Sequence, residues 1–185
     1  MQKLLTLLLI ALCISGPFNA ANAQSYIGKE GQAEFISNAP LLEFKGVSDH
    51  LTGLIDVGKN LVDFYLDLNT LDTGIKLRNS HMRESYLETE ECPFAEFTGQ
   101  LDSPFDHELN EEQEITVTGD FTVHCVTKEL TATGTIKPTA EGLMVNADWE
   151  ILLKDFDIDR PGVAFYELAE EQRINISILL KTEND

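Results

Sequence analysis

Residues Glu114 to Cys125 read EITVTGDFTVHC, and the period of that run decides the fold. Ile115, Val117, Gly119, Phe121, Val123 and Cys125 fall on one parity; Thr116, Thr118, Asp120, Thr122 and His124 fall on the other. Successive side chains of a strand point to opposite faces, so this run has one dry face and one wet face. The same alternation returns on both sides. Upstream, Val62, Phe64, Leu66 and Leu68 alternate with Asp63, Tyr65, Asp67 and Asn69. Downstream, Leu130, Ala132, Gly134 and Ile136 oppose a row of threonines, and Leu143, Val145, Ala147, Trp149, Ile151 and Leu153 share a face. Ile174, Ile176, Ile178 and Leu180 make the last such row.

Half-wet strands suit antiparallel sheets and not a parallel α/β core. Adding segments near 33–37, 41–47, 51–57 and 94–101 gives about eight or nine strands in one domain. Several exceed ten residues, and long alternating strands in one chain lose their exposed edges most simply by closing into a barrel. The expectation is an all-β fold, a single antiparallel barrel of about eight strands; a two-sheet sandwich is the alternative.

One stretch breaks the pattern. RNSHMRESYL, Arg78 to Leu87, gathers basic side chains and reads as a helix around 79–88, after the third or fourth strand. It follows the turn Leu71-Asp72-Thr73-Gly74, with Asn79 or Ser80 able to cap its first turn and Pro93 to stop it. Met82 and Tyr86, four apart, share a face. About two turns of helix would not be stable alone, so the segment has to lie across something. An open barrel end offers that place.

The first 23 residues read as a cleaved signal peptide, with 24–185 as the barrel domain. Lys3 gives a positive start, Leu4 to Ile14 an apolar run, and Ala21-Asn22-Ala23 a small-x-small cleavage site. The apolar run is too short to span a bilayer, and Cys13 lies inside it after Leu12, which argues against lipidation. Removal of the leader would leave 12 basic residues against 32 acidic ones. That balance opposes binding to nucleic acid and to anionic head groups.

Cys92 and Cys125 remain after cleavage, and in an exported chain such a pair is more often a disulfide than a redox or metal site. Two free thiols are the alternative. With His81 and His124 they also make a soft donor set, but no CxxC or HxxxH spacing supports a metal. KDFDIDRPG alternates Asp155, Asp157 and Asp159, yet Arg160 and Pro161 stand where a calcium loop needs its glycine, so the acids read as the wet face of a strand end. No Gly-x-Ser-x-Gly or HExxH is present, and no catalytic residue or cofactor is expected. Asn175-Ile176-Ser177 matches a glycosylation acceptor but sits on an alternating strand.

Three segments, LDTGIKLRNSHMRESYLETEECPFAEFTGQL, ITVTGDFTVHCVTKELTATGTI and LLKDFDI, together resemble successive signatures of the YceI-like family. These are a Thr-Gly turn, a short Arg- and His-bearing helix, a Pro-Phe strand start, a His-Gly-Val-Thr-Lys hairpin and an Asp-Phe-Gly-Ile segment. The resemblance runs roughly from Gln32 to Leu180. It implies an exported, periplasmic or secreted bacterial protein with a lipocalin-like barrel. In some members the barrel binds a polyisoprenoid chain, so the family implies a binding module and not an enzyme. Two departures fall on the cysteines: Cys125 replaces the family's usual Gly after the hairpin His, and Glu91-Cys92-Pro93 replaces a Lys-Tyr-Pro-like triplet. If Leu101 lies opposite Ile115, Cys92 faces position 124, and a bulge near Pro93 would bring it to Cys125.

The expected lining of the barrel is Phe64, Leu66, Phe97, Phe121, Val123, Val145, Trp149, Ile176 and Ile178, with the small residues Gly119, Ala132, Gly134 and Ala147 leaving room. These side chains would either fill the core or hold an apolar lipid. Arg78, His81, Met82, Arg83 and Tyr86 are the candidate lid, their basic members meeting a head group or else pairing with Glu84, Glu88 or Glu90. The expected ligand is an isoprenoid, a quinone or another long-chain lipid, and a second copy of the chain is a candidate partner. The alternatives are a ligand-free, partner-binding barrel of the cell envelope and, more remotely, a redox-linked role of Cys92 and Cys125.

Overall fold

The computed structural model describes residues 24–106, 109–160 and 168–182; the leader expected over 1–23 lies outside them. Eight strands close into one barrel, each antiparallel to the next: β1 Ser25–Asn38, β2 Glu43–Asp56, β3 Leu61–Asp67, β4 Phe94–Leu101, β5 Gln113–Val123, β6 Val126–Thr139, β7 Gly142–Leu152 and β8 Glu171–Thr182. β8 returns to pair with β1, so no edge is left open. The barrel is the expected architecture, and the period-two faces explain it. In β5 Ile115, Val117, Phe121 and Val123 are buried while Glu114 and Asp120 face solvent.

The segments expected at 41–47 and 51–57 are one strand, β2. Its buried positions run Gly46 and Ser48, then Leu51, Gly53 and Ile55, so the inward parity changes near His50. The register with β1 slips at the same level, around Gly31. A β-bulge reverses the parity of everything beyond it, which made one strand look like two.

The β4–β5 register also differs from expectation. Leu101 pairs with Val117, two residues along from Ile115, and the ladder runs unbroken to Glu96–Thr122. No bulge forms at Pro93. Instead β5 ends at Val123, and His124 (φ 52°) and Cys125 (φ 59°) are the two central residues of a tight hairpin turn into β6. Two-residue hairpins that match strand twist need positive φ at both positions. His124 and Cys125 are therefore turn residues and not opposite faces of a strand. Cys92 lies just before β4 and is bonded to Cys125, with Cα atoms 5.4 Å apart.

At one barrel end Ile136, Leu143 and Leu180 are essentially inaccessible, and Tyr26 is buried beside them. Each such side chain removed from water stabilises by about 1.5–3 kcal/mol. This end is a packed floor. Gly119 and Gly134 belong to the packing and do not open volume. A Cβ on Gly119 would meet Gly99 Cα at 2.4 Å, and one on Gly134 would meet Asn146 O at 2.2 Å. Glycine at these positions lets neighbouring strands cross closely.

Between β3 and β4 the chain forms α1, Lys76–His81, continued by a π-helical turn, Met82–Tyr86. The helix starts earlier than expected, and neither Asn79 nor Ser80 caps it. Asn79 Oδ1 accepts from Thr73 N (2.9 Å) and Thr73 Oγ1 (2.7 Å), and its Nδ2 donates to Asp72 (2.7 Å). Ser80 donates to Glu84 at 2.6 Å. The helical run ends at Leu87 and Glu88, whose φ is +46°, well before Pro93. After β7, Leu153–Phe156 is a 3-10 turn and Asp157 is left-handed, with Phe156 and Ile158 buried. The acids there do not continue a strand, which corrects that reading of KDFDIDRPG.

Candidate functional site

Above the floor the barrel holds a cavity of about 500 Å³, within the roughly 300–1,000 Å³ usual for small-molecule sites. Its walls come from the inward parity of the strands. β3 and β4 supply Phe64, Leu66 and Phe97, β5 supplies Phe121 and Val123, β7 supplies Val145 and Trp149, and β8 supplies Ile176. Of the nine expected lining residues only Ile178 lies elsewhere. It is buried at floor level, where a Cβ on Gly31 would meet it at 2.7 Å. Ala132 and Ala147 do line the cavity, with side chains small enough to leave it open.

Trp149 anchors an aromatic cluster on one wall. Its ring lies 6.0 Å from that of Phe97, tilted, and 5.6 Å from that of Phe121, edge-on. Phe121 in turn meets Phe156 edge-on at 5.6 Å. Such pairs fix ring orientation as well as removing area from water.

The mouth lies at the end where α1 sits. Met82 is buried under the helix and lines the cavity together with Tyr86, Arg78 and His81. The Arg78 guanidinium stacks over Phe44 of β2 at 4.3 Å, closing one side of the mouth by a cation–π contact. Arg83 does not line the cavity. Its Nη2 donates to the carbonyl of Leu71 at 2.9 Å, so it ties the helix to the chain entering it. None of these basic groups forms an ion pair with Glu84 or Glu90 among the described residues; Glu88 pairs instead with His124.

The lid is braced from both ends. Asp72 Oδ1 accepts from Gly74 N (2.8 Å) and from Asn79 Nδ2, and these bonds hold its carboxyl below the ordinary carboxylate range. The Asn79 bond is the largest cause, followed by the Gly74 N–H, with a smaller contribution from the Arg83 charge. Beyond the helix, the Cys92–Cys125 bond joins the β3–β4 connection to the β5–β6 turn. His124 stands between Phe156 O (2.9 Å) and Glu88 Oε2 (3.1 Å), linking that turn to two further loops. Both cysteines are thus consumed by one bond and His81 faces the mouth, so the four soft donors do not gather. Among the described residues no three His, Cys, Asp or Glu side chains are grouped to hold a metal ion.

Sequence reading missed the outer mouth and one buried polar residue near it. Leu42, Phe44, Ile75 and Leu77 line the opening, and Leu41 (76% exposed) and Leu77 (65% exposed) leave apolar surface around it. Gln172 lines the cavity at 4% exposure. A signal for it existed, since Gln172 is in phase with Ile174, Ile176 and Ile178 and so had to face inward.

The arrangement is a deep apolar slot with a closed floor and a basic, helix-covered mouth. A model of the YceI-like domain matches residues 18–180. Several solved structures share the fold. A polyisoprenoid-binding domain from Saccharophagus degradans, implicated in plant cell wall breakdown, superposes with a TM-score of 0.72 at 18% identity, over 85% of this chain and 98% of that one. BcnA of Burkholderia cenocepacia gives a TM-score of 0.67 at 15% identity, over 80% and 94% of the two chains. The YceI protein of Campylobacter jejuni gives 0.62 at 16%, over 81% and 91%. At these identities the likeness is one of fold. No curated protein sequence matches the chain.

Proposed function

The chain belongs to the YceI-like family, and from that premise we propose that it is an exported carrier that holds an isoprenoid or another long-chain apolar lipid in its barrel. The observation that carries this reading is the cavity of about 500 Å³, apolar on its walls and closed at its floor. A barrel of eight strands can be filled by its own side chains, and here it is not. The polyisoprenoid-binding domain of Saccharophagus degradans supports the ligand class. Residues 1–23, read as a cleaved leader, support export to the periplasm or beyond. No helix among the described residues is long and apolar enough to cross a membrane.

In this reading the tail enters past α1 and runs toward Ile55 and Val62, while the polar end stays at the level of Arg78 and His81. Each Å² of apolar surface removed from water contributes about 25 cal/mol, reduced by the cost of ordering the tail. Binding, not bond-breaking, is the chemistry such a wall supports.

Trp149 is the single tryptophan of the chain and stands in the cavity wall, so its emission reports occupancy directly. Titration with a long-chain prenyl quinone is expected to quench it to saturation at one ligand per chain. The double substitution Arg78→Ala, His81→Ala is expected to weaken that titration by about three- to tenfold, the scale of one charge-assisted contact at a partly exposed site. Unchanged Trp149 emission in the wild type would remove the carrier reading; unchanged affinity in the double variant would remove only the head-group role of the helix.

A second reading has one observation in its favour. The exposed Leu41 and Leu77 at the mouth are the surface a partner would cover if the barrel acted as an envelope scaffold without ligand.

A further inference from the structure

Exposed apolar surface on this barrel collects around the mouth. Among the described residues six large apolar side chains are exposed, and Leu41, Ile75 and Leu77 belong to the segments that form the rim. Tyr65 and Phe94, two of the other three, pack edge-on against each other at 6.4 Å. Leu41 is the most exposed of all and is presented by a fixed turn. Ala39 N donates to Leu42 O at 3.1 Å, and Leu42 N donates to Ala39 O at 3.2 Å. Its neighbour Leu42 lines the cavity. Ile75 and Leu77 flank Lys76, the first residue of α1. The contact of Arg78 with Phe44, 4.3 Å, ties α1 to β2, so both sets of apolar side chains belong to one rim. Groups already held in place lose little freedom when something covers them.

The charges beside these groups narrow what that something is. Lys76 is exposed, and neither it nor Arg78 forms an ion pair among the described residues, in a chain of 13 basic and 32 acidic residues. Glu43, exposed at the start of β2, adds an anion close by. Charges of both signs on the rim match head groups that carry a phosphate and an ammonium, while the acidic whole opposes a strongly anionic surface. A second copy fits poorly. Three side chains fall well short of the roughly 800 Å² per partner of a stable protein interface, and a two-fold pairing of the mouth would set the same cations against their copies.

A bilayer surface needs no matching shape. Its interface takes up separate Leu and Ile side chains, and Lys and Arg beside them reach the phosphates. We propose that the mouth rim docks on a zwitterionic bilayer, with Leu41, Ile75 and Leu77 in the interface and Lys76 and Arg78 at phosphate level. The cavity then opens onto the membrane, and an apolar tail passes between bilayer and barrel without crossing water. The inference rests on the carrier reading and says where the cargo is exchanged.

Co-sedimentation of the full chain with vesicles of phosphatidylethanolamine and phosphatidylcholine, without added ligand, tests it. Binding is expected to persist in about 0.5 M sodium chloride, where charges are screened within about 4 Å. Leu41→Ser is expected to weaken it by about tenfold, since most of a leucine side chain then no longer leaves water. Leu41 is outside the cavity wall, so the same variant is expected to keep the wild-type Trp149 titration. Binding that salt abolishes, or that Leu41→Ser leaves unchanged, overturns the docking, because charge or another surface such as the apolar run 4–14 then carries it. A wild type that takes up the quinone in solution and ignores vesicles overturns the docking and leaves the carrier. Rim-dependent vesicle binding without quinone uptake supports the docking and overturns the carrier.

Discussion

Cys125 occupies, at φ 59°, a backbone region that side chains with a Cβ enter at a cost of about 1 kcal/mol. Glycine is the natural residue for that corner, and the bond to Cys92 gives a reason for a cysteine to stand there instead. The two residues are 33 apart, and closing a loop of that length stabilises by roughly 3–4 kcal/mol in the chain-entropy model. Replacing the pair by Cys92→Ala with Cys125→Gly is thus expected to lower unfolding free energy by about 2–3 kcal/mol, the lost cross-link less the relieved backbone. Urea denaturation under non-reducing conditions measures it, and an unchanged midpoint would mean the bond contributes nothing. At this scale the sequence tells which face a residue takes but not its depth or its partner. The parity that placed Phe64 and Trp149 in the cavity wall also placed Ile178 there. It could not show that Ile178 packs at the floor, where Gly31 leaves room only for that side chain. Arg83 sat among basic neighbours and looked like a head-group ligand; its bond to the Leu71 carbonyl depends on a fold that the local sequence does not display.

α1 has six residues and a π-turn, too short to be stable by itself, so it is held by what lies at its two ends. Asp72 is the keystone of its entry. Its pKa is lowered in the folded chain, first by the Asn79 bond and next by the Gly74 N–H, relative to about 3.9 when unfolded. A lowered carboxyl contributes stability that is fully present above the unfolded value and is lost as pH falls through the folded one. Protection of the amides in 75–87, measured against the intrinsic chemical rate at each pH, is therefore expected to hold steady from neutral pH to about 5 and to fall below about 4. Asp72→Asn should show the faster exchange already at neutral pH and no further acid step. A wild-type profile that follows only the intrinsic rate would contradict this role. The misplacement of the helix start has the same origin. Asn79 and Ser80 are good cap residues, but Asn79 is spent on Thr73 and Asp72 across the turn, and that contact spans six and seven residues. The β4–β5 register erred for a comparable reason, since alternation repeats every two residues and a slip of two preserves every face. Strand existence was legible; registers, bulges and caps were decided by contacts between elements.

Over the whole molecule, the long alternating strands foretold closure and the inward rows foretold an apolar interior. They could not foretell whether that interior is full. The answer depends on summing side-chain volumes along the barrel: Ile136, Leu143 and Leu180 meet at one end, whereas Ala132 and Ala147 leave space higher up. The braces around the mouth, from the Cys92–Cys125 bond to the His124 bridge, keep that space covered by a helix while its rim stays apolar. The central claim is that this space holds a lipid. Native mass spectrometry of the protein purified without detergent from a bacterial cell, followed by organic extraction, tests it most directly. The account predicts a stoichiometric mass excess that extraction identifies as one long-chain lipid. It also predicts that Ala132→Phe, whose ring would occupy the cavity, emerges folded and empty. A wild-type protein that is empty on purification and takes up no added prenyl alcohol or quinone would contradict it.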